Sequence, residues 1–167
     1  MKSRIVRRDA KAEAARSAVK PIASNRKAFH EYFIEEKHEA GIALTGTEVK
    51  SLREGRASLT DGHVAVDGGE AWLWNVHIAP YEAGSYNNPD SKRKRKLLLH
   101  RREIARIAAQ IQRSGATCVP LSLYFRGSLV KVEIALVTGK KLYDKRDSIK
   151  NRELDREARS VMKAFRR

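Results

Sequence analysis

Along most of this chain the spacing of hydrophobic and polar positions assigns the elements one after another. From Ser24 onward, Tyr32 and Ile34 alternate with Phe33 and Glu35, the period expected of a half-buried strand. Gly41 breaks that run, and Ile42, Ala43 and Leu44 read as a short continuation. After Gly46, the stretch Thr47 to Arg53 has a threonine cap, Glu48 in the first turn and Val49 with Leu52 on one face. It predicts a short helix that Gly55 closes. Val64 and Val66, a turn at Asp67, Gly68 and Gly69, and then Ala71 to Ile78, rich in tryptophan and β-branched residues, predict a hairpin.

Between Pro80 and Lys96 glycine, asparagine and proline sit among polar residues and neither periodicity survives, so this stretch reads as a long, mobile, basic loop. After Leu97, Leu98 and Leu99, the residues Ile104, Ile107, Ala108 and Ile111 fall at helical spacing with arginines opposite and Gly115 as the stop. Val119, Leu121, Leu123 and Phe125 alternate, Gly127 and Ser128 make a tight turn, and Val130, Val132, Ile134 and Leu136 alternate again, a second hairpin. Pro120 within it predicts an edge position or a bulge, because proline cannot donate to a ladder. Short strands with turn signals, one long helix and one short helix describe an α+β domain, mainly antiparallel β. A small barrel is the simplest layout and an open two-layer sandwich the competing one.

The ends differ from this core. Residues 1–23 form a basic, alanine-rich arm, expected to be disordered; residues 24–138 form the folded body; residues 139–167 form a densely charged, basic tail. In that tail Leu154, Ala158, Val161, Met162 and Phe165 share one helical face. A helix so short is marginal in water without a partner, so the tail is expected to be disordered alone and helical when docked.

Charge changes the picture most. The formal net charge is +15 over 167 residues, which attracts polyanions, either nucleic acid or an anionic membrane face. No apolar run reaches the roughly 18–20 residues of a membrane-spanning helix, and the arm lacks the apolar stretch of a secretory signal. An organellar leader is the alternative to a solvated arm, although Asp9 and Glu13 interrupt its acid-poor pattern. The single cysteine, Cys118, excludes an internal disulfide and a cysteine-based zinc site.

Candidate chemistry is sparse. His30, Glu31, His38 and Glu39 cluster in sequence, but along an extended strand the two histidines stand roughly 26 Å apart, and surface polarity is the better reading. No serine elbow, phosphate-cradling glycine loop or carboxylate pair appears. The run Lys92, Arg93, Lys94, Arg95 and Lys96 is a solvated cluster or a phosphate-binding loop. The second reading gains from the basic arm and tail and from aromatics such as Tyr32, Trp72, Trp74, Tyr124 and Phe125. Any of these rings that point outward would stack on unpaired bases.

The segments NRKAFHEYFIEEKHEAGIALTGTEVKSLREG, RKLLLHRREI and GKKLYDKR resemble, in this order, the signature segments of the small protein B family, the SsrA-binding proteins. The resemblance runs from Asn25 to Arg146 and more loosely through the tail. It implies an oligonucleotide-binding type of small β-barrel with flanking helices and a disordered basic C-terminal tail. It also implies a bacterial cytoplasmic RNA-binding factor that is not an enzyme and needs no cofactor or metal. Such a protein binds the tRNA-like domain of transfer-messenger RNA and delivers it to stalled 70S ribosomes for trans-translation. Its tail probes the small-subunit decoding region and the empty mRNA channel, and elongation factor Tu is met indirectly through the aminoacylated RNA.

By matching motifs, the resemblance implies RNA contacts at Asn25 and Lys27 with Arg26 between them, at Glu39 and at Leu98, beside the basic run Lys92 to Lys96. Glu39, an acid on such a face, is expected to organise a base or a basic side chain through charge-assisted hydrogen bonds. The ribosome-facing positions implied are Lys140, Lys141, Tyr143, Asp144, Lys145 and Arg146, with Val161 and Met162 as the apolar pair of the tail. Three features depart from the family pattern. Phe29 replaces a usually basic residue, Tyr143 sits at a variable position that is histidine in some members, and the arm is longer.

Overall fold

The computed structural model describes residues 19–141. In order, they form β1 (Val19–Ser24), α1 (Arg26–Glu31), β2 (Tyr32–Ile42), α2 (Gly46–Arg53), β3 (Ala57–Ser58), β4 (His63–Asp67), β5 (Glu70–Trp74) and β6 (His77–Ile78). A 3₁₀ turn (Glu82–Asn87), β7 (Arg95–Leu98), α3 (Arg101–Ser114), β8 (Thr117–Arg126) and β9 (Leu129–Gly139) follow. The main sheet runs β1-β8-β4-β5-β7-β2-β9, and β8 also pairs with β9. That last pairing closes β8, β4, β5, β7, β2 and β9 into an antiparallel ring, with β1 added outside β8 and β3 paired with β6 apart from it. The layout is α+β and mainly antiparallel, and ring closure excludes the open sandwich.

A closed ring has one inner face, and the alternating apolar residues fill it. Ala40, Leu73, Leu97, Leu123, Val132, Ile134 and Leu136 are all 1 % exposed or less; each fully buried leucine or isoleucine contributes roughly 1.5–3 kcal/mol. From α3, Ile107 enters the same core, with Ile104 and Ile111 against its edge. Gly115 ends that helix in the left-handed conformation at φ 62°, where a side chain would be strained. The β8–β9 hairpin is buried on both sides along part of its length, because α1 lays Ala28 over Val119, Leu121, Ala135 and Val137. The register slips between Pro120 and Ser122, the bulge that the proline implies.

Several local assignments differ from the pattern in the sequence. The sheet starts at Val19, because β1 pairs with β8 over Val19–Ser24, and residues 19–23 are assigned above to the arm. Six residues interrupted by Pro21 carry no legible alternation, and only the partner strand gives them order. Helix α1 is too short to show a period. The run through β2 continues past Gly41 to Ile42, and α2 starts at Gly46 with Thr45 as its cap. Glu48 closes that cap by accepting from the Thr45 backbone N–H at 2.8 Å. The second strand of the first hairpin stops at Trp74, where Asn75 has φ 55°.

The stretch Pro80 to Lys96 is pinned and not a mobile loop. The Asn88 side chain bonds the Tyr81 backbone at both ends, at 3.0 and 2.9 Å, and the Ile78 N–H donates to Ser91 O at 3.0 Å. Arg95, fully buried, is the main anchor. Its guanidinium donates to Glu48 Oε1 at 2.8 Å, Val76 O at 2.6 Å, Ser91 O at 2.9 Å and Arg93 O at 3.1 Å. Arg93 adds bonds to Glu48 at 3.0 and 2.6 Å. Burial pushes the Glu48 carboxyl up, but the Arg93, Thr45 and Arg95 hydrogen bonds outweigh it and hold the pKa below its ordinary 4.5.

Removing one partner from such a buried pair strands the other, so Glu48→Ala should cost about 3–5 kcal/mol in denaturant unfolding. Since the folded pKa is depressed, the carboxylate's share of stability is complete above pH 4.5 and is lost as pH falls through the folded value. A pH series of melts on Glu48→Gln should show less acid sensitivity than wild type; equal sensitivity would place the acid-labile group elsewhere.

Candidate nucleic-acid interface

The outer face of the ring carries the polar chemistry. Since side chains alternate along a strand, the outward residues of β2, β9 and β8 include Glu39, Lys131, Tyr124 and Arg126, which meet across the sheet. Glu39 accepts from the Tyr124 hydroxyl at 2.5 Å and from Arg126 Nη1 at 2.9 and 3.0 Å, with Lys131 Nζ at 3.6 Å. The Tyr124 hydrogen bond, reinforced by the charges of Arg126 and Lys131, holds the Glu39 carboxyl below its ordinary value against its partial desolvation. Burial, with the Glu39 hydrogen bond, pushes the Tyr124 phenol up to about 12. A single carboxylate therefore aims two cations and a phenol on an open surface.

Beside this cluster lies a cleft of about 870 Å³ lined by Glu39, Lys131, Lys96, Glu70, Leu98 and the start of α3, including His100 and Arg101. Lys96 is ion-paired with Glu70, so both lysines on its wall are held by carboxylates. Leu98 projects from β7 with 57 % of its surface exposed, an apolar contact between charged neighbours. Gly41 lies opposite it in β2, and a Cβ there would stand 3.1 Å from Leu98 Cβ. A side chain at that position would displace the leucine.

The sequence matches the SmpB protein family profile over residues 22–164. The chain belongs to the SmpB family. It is 60% identical to the SsrA-binding protein of Roseiflexus sp. (strain RS-1) over 85% of this chain and 90% of that protein. It is 52% identical to the SsrA-binding protein of Carboxydothermus hydrogenoformans over 87% and 97%. Its fold is similar to a chain in the solved structure described as "tmRNA-SmpB: a journey to the center of the bacterial ribosome", with TM-score 0.63 and 50% identity over 73% of this chain and 86% of that one.

The residues implied by the family motifs do not all meet. Glu39, Leu98 and Lys96 share the large cleft. Asn25 and Lys27 line a separate cavity of about 240 Å³ with Asp61 and His63, and the two share no lining residue. Asn25 lies inside the fold. Its side chain is 3 % exposed and fully engaged, accepting from Ala28 N and donating to Leu59 O and Pro120 O, all at 3.1 Å. It caps α1 and ties it to β8. Lys27, 51% exposed near Asp61, and exposed Arg26 keep their charges at the surface.

Arg95, in the middle of the basic run, is buried and bonded at every nitrogen, which makes it the anchor of its own loop. Arg93 is drawn to Glu48 as well. Lys92 is exposed, and Lys94 lies over two indole rings. Phe125 is core, and Tyr32 packs against the smaller core beneath α1. Phe29 faces outward at 38 % exposure under Lys37. Lys140 lies over Phe33 and bonds Phe29 O at 3.2 Å. Tyr143, Asp144, Lys145, Arg146, Val161 and Met162 lie outside the described residues.

Motif matching passed over Tyr124, Arg126 and Lys131. Their one signal in sequence is that they occupy outward positions of the strongest hairpin, and its pairing with β2 across Glu39 is a tertiary fact. Among the described residues, no group of three or more His, Cys, Asp or Glu stands ready to hold a metal, and no helix is long and apolar enough to cross a membrane.

The Glu39 cluster is exposed and screened, so Glu39→Ala should leave unfolding free energy within about 1 kcal/mol of wild type. In the same variant the tyrosine titrating at about 12 should move toward 10.0, read by phenolate absorbance at alkaline pH. An unmoved titration would mean that burial alone sets it.

Proposed function

We propose that this chain binds the tRNA-like domain of transfer-messenger RNA and brings it to stalled ribosomes for trans-translation, acting by contact and not by catalysis. The observation that carries this reading is the cleft in which Glu39, Lys131, Lys96 and Leu98 converge, set in a chain of net charge +15. The names of the SsrA-binding relatives and of the ribosome complex agree with it.

Each part of the site has a chemical role in this reading. Arg126, Lys131 and Lys96 neutralise phosphates in an orientation that Glu39 and Glu70 impose, and Leu98 packs on a sugar or base edge. Lys92, Lys94, Arg26 and Lys27 extend the positive field along the RNA. A folded tRNA-like domain offers shape, 2′-hydroxyls and splayed loop bases, which suit a preset array of cations better than a flexible lysine cluster does. The tail, with Lys140, Lys141, Tyr143, Asp144, Lys145 and Arg146 and the apolar pair Val161 and Met162, enters the decoding region and mRNA channel. Elongation factor Tu is reached only through the aminoacylated RNA.

The rival is a general single-strand-binding ring, which has similar charge but no preference for a folded ligand. In competition, the tRNA-like domain should displace an unpaired oligonucleotide of equal length, with affinity falling steeply as salt rises. Preference for the oligonucleotide would select the rival. Glu39→Ala should weaken binding to the tRNA-like domain by about tenfold, close to the worth of one charge-assisted bond. Truncation after Lys141 should leave free RNA binding near wild type while abolishing peptide tagging on stalled ribosomes; loss of both together would make the tail part of the RNA clasp.

A further inference from the structure

The outer face does not end at the cleft. Alternation along β5 puts Ala71 and Leu73 inside, each fully buried, and Glu70, Trp72 and Trp74 outside. Trp72 stands opposite Lys96 of β7 and Trp74 opposite His63 of β4. Glu70 and Lys96 are themselves cleft residues, so the tryptophans extend the cleft wall along the same face. Trp74 is 38 % exposed. The Lys94 ammonium lies 5.0 Å from the Trp72 ring and 5.7 Å from the Trp74 ring, one cation shared by two indoles. The two rings and their lysine belong neither to the inner core nor to the small core under α1.

We infer that Trp72, Trp74 and Lys94 form a stacking ledge that takes one unpaired base of the RNA held at the adjoining cleft. The inference rests on the RNA-binding reading above and adds a site to it. An indole face is apolar and electron-rich, so it accepts the π-face of any base, while a nearby ammonium answers the phosphate that follows. Lys94 covers the rings in the free protein and transfers to that phosphate when the base arrives. Charge complementarity favours RNA over a protein partner, because Lys94 and Lys96 both lie on this side in a chain of net charge +15. A paired base inside a helix cannot lie flat on the ledge, so the ligand is a looped or bulged nucleotide.

Trp72 and Trp74 are the only two tryptophans in the chain, so intrinsic fluorescence reports directly on the ledge. The experiment titrates the full-length protein with the tRNA-like domain of transfer-messenger RNA, following tryptophan emission and affinity, for wild type, Trp74→Ala, Trp74→Phe, Lys94→Gln and Glu39→Ala. The expected result is quenching in wild type, about tenfold weaker binding in Trp74→Ala, most of the affinity retained by Trp74→Phe, and melting temperatures close to wild type. Lys94→Gln serves as the second variant should Trp74→Ala melt early, and it should weaken binding while leaving the quench in place. Wild-type affinity in both Trp74→Ala and Lys94→Gln overturns the ledge whatever the emission does, and a protein occupant would give that result. If Glu39→Ala then still weakens binding, the cleft reading survives alone. Failure of wild type to bind the tRNA-like domain overturns both.

Discussion

Pairing β8 with β9 turns a row of strands into a ring, and the other features follow from that closure. Once closed, the ring gives every strand in it a neighbour on each side, although β8 meets β4 through a single residue pair. It also divides every strand into residues that face a filled interior and residues that face outward. The interior takes Leu73, Leu97, Leu123, Ile134 and Leu136. Apart from the stretch of β8 and β9 that α1 covers, the outward set on β5, β7, β2, β9 and β8 is thereby left as a surface on which chemistry can be arranged.

Two carboxylates show how burial decides the role of similar motifs. Glu48 and Glu39 each accept from an arginine and from a second donor. The Glu48 side chain is 4% exposed and its partner Arg95 0%, so that pair is costly to break and pins the 80–95 segment to the ring. The Glu39 side chain is 36% exposed and its partner Arg126 50%, where water screens the attraction and little folding energy is at stake. What Glu39 contributes is orientation: it holds Arg126, Lys131 and Tyr124 in one arrangement. The outer face then reads as a graded surface, from the Glu39 cluster through the Lys96 and Leu98 cleft to the two tryptophans, with β9 leading from the same ring toward the basic tail.

Much of this was legible in the residues. The β8–β9 hairpin, α3 and its glycine stop, the bulge at Pro120 and the Gly68–Gly69 turn all follow from local periodicity and backbone preference, which need no knowledge of distant partners. The family motifs single out Glu39 and Leu98, which the fold brings to one cleft. Local pattern failed where order comes from a partner: β1 exists because β8 accepts it, α1 because Asn25 reaches Leu59 O and Pro120 O, and the 80–96 segment because Glu48 and Arg95 meet across 47 positions of sequence.

The sequence by itself determined the chemistry on offer: a strongly cationic chain with alternating strands, one amphipathic helix, one cysteine and the motifs of an RNA-binding family. Only the tertiary structure decided which of those groups are free to act. Within one basic run it buried Arg95, tied Arg93 to Glu48, set Lys94 over two indoles and left Lys96 on the cleft wall. Sequence spacing carries no information on which carboxylate will stand opposite a given arginine, nor on which side of a closed sheet that arginine will lie. The desolvation that separates a structural cation from a binding one depends on both.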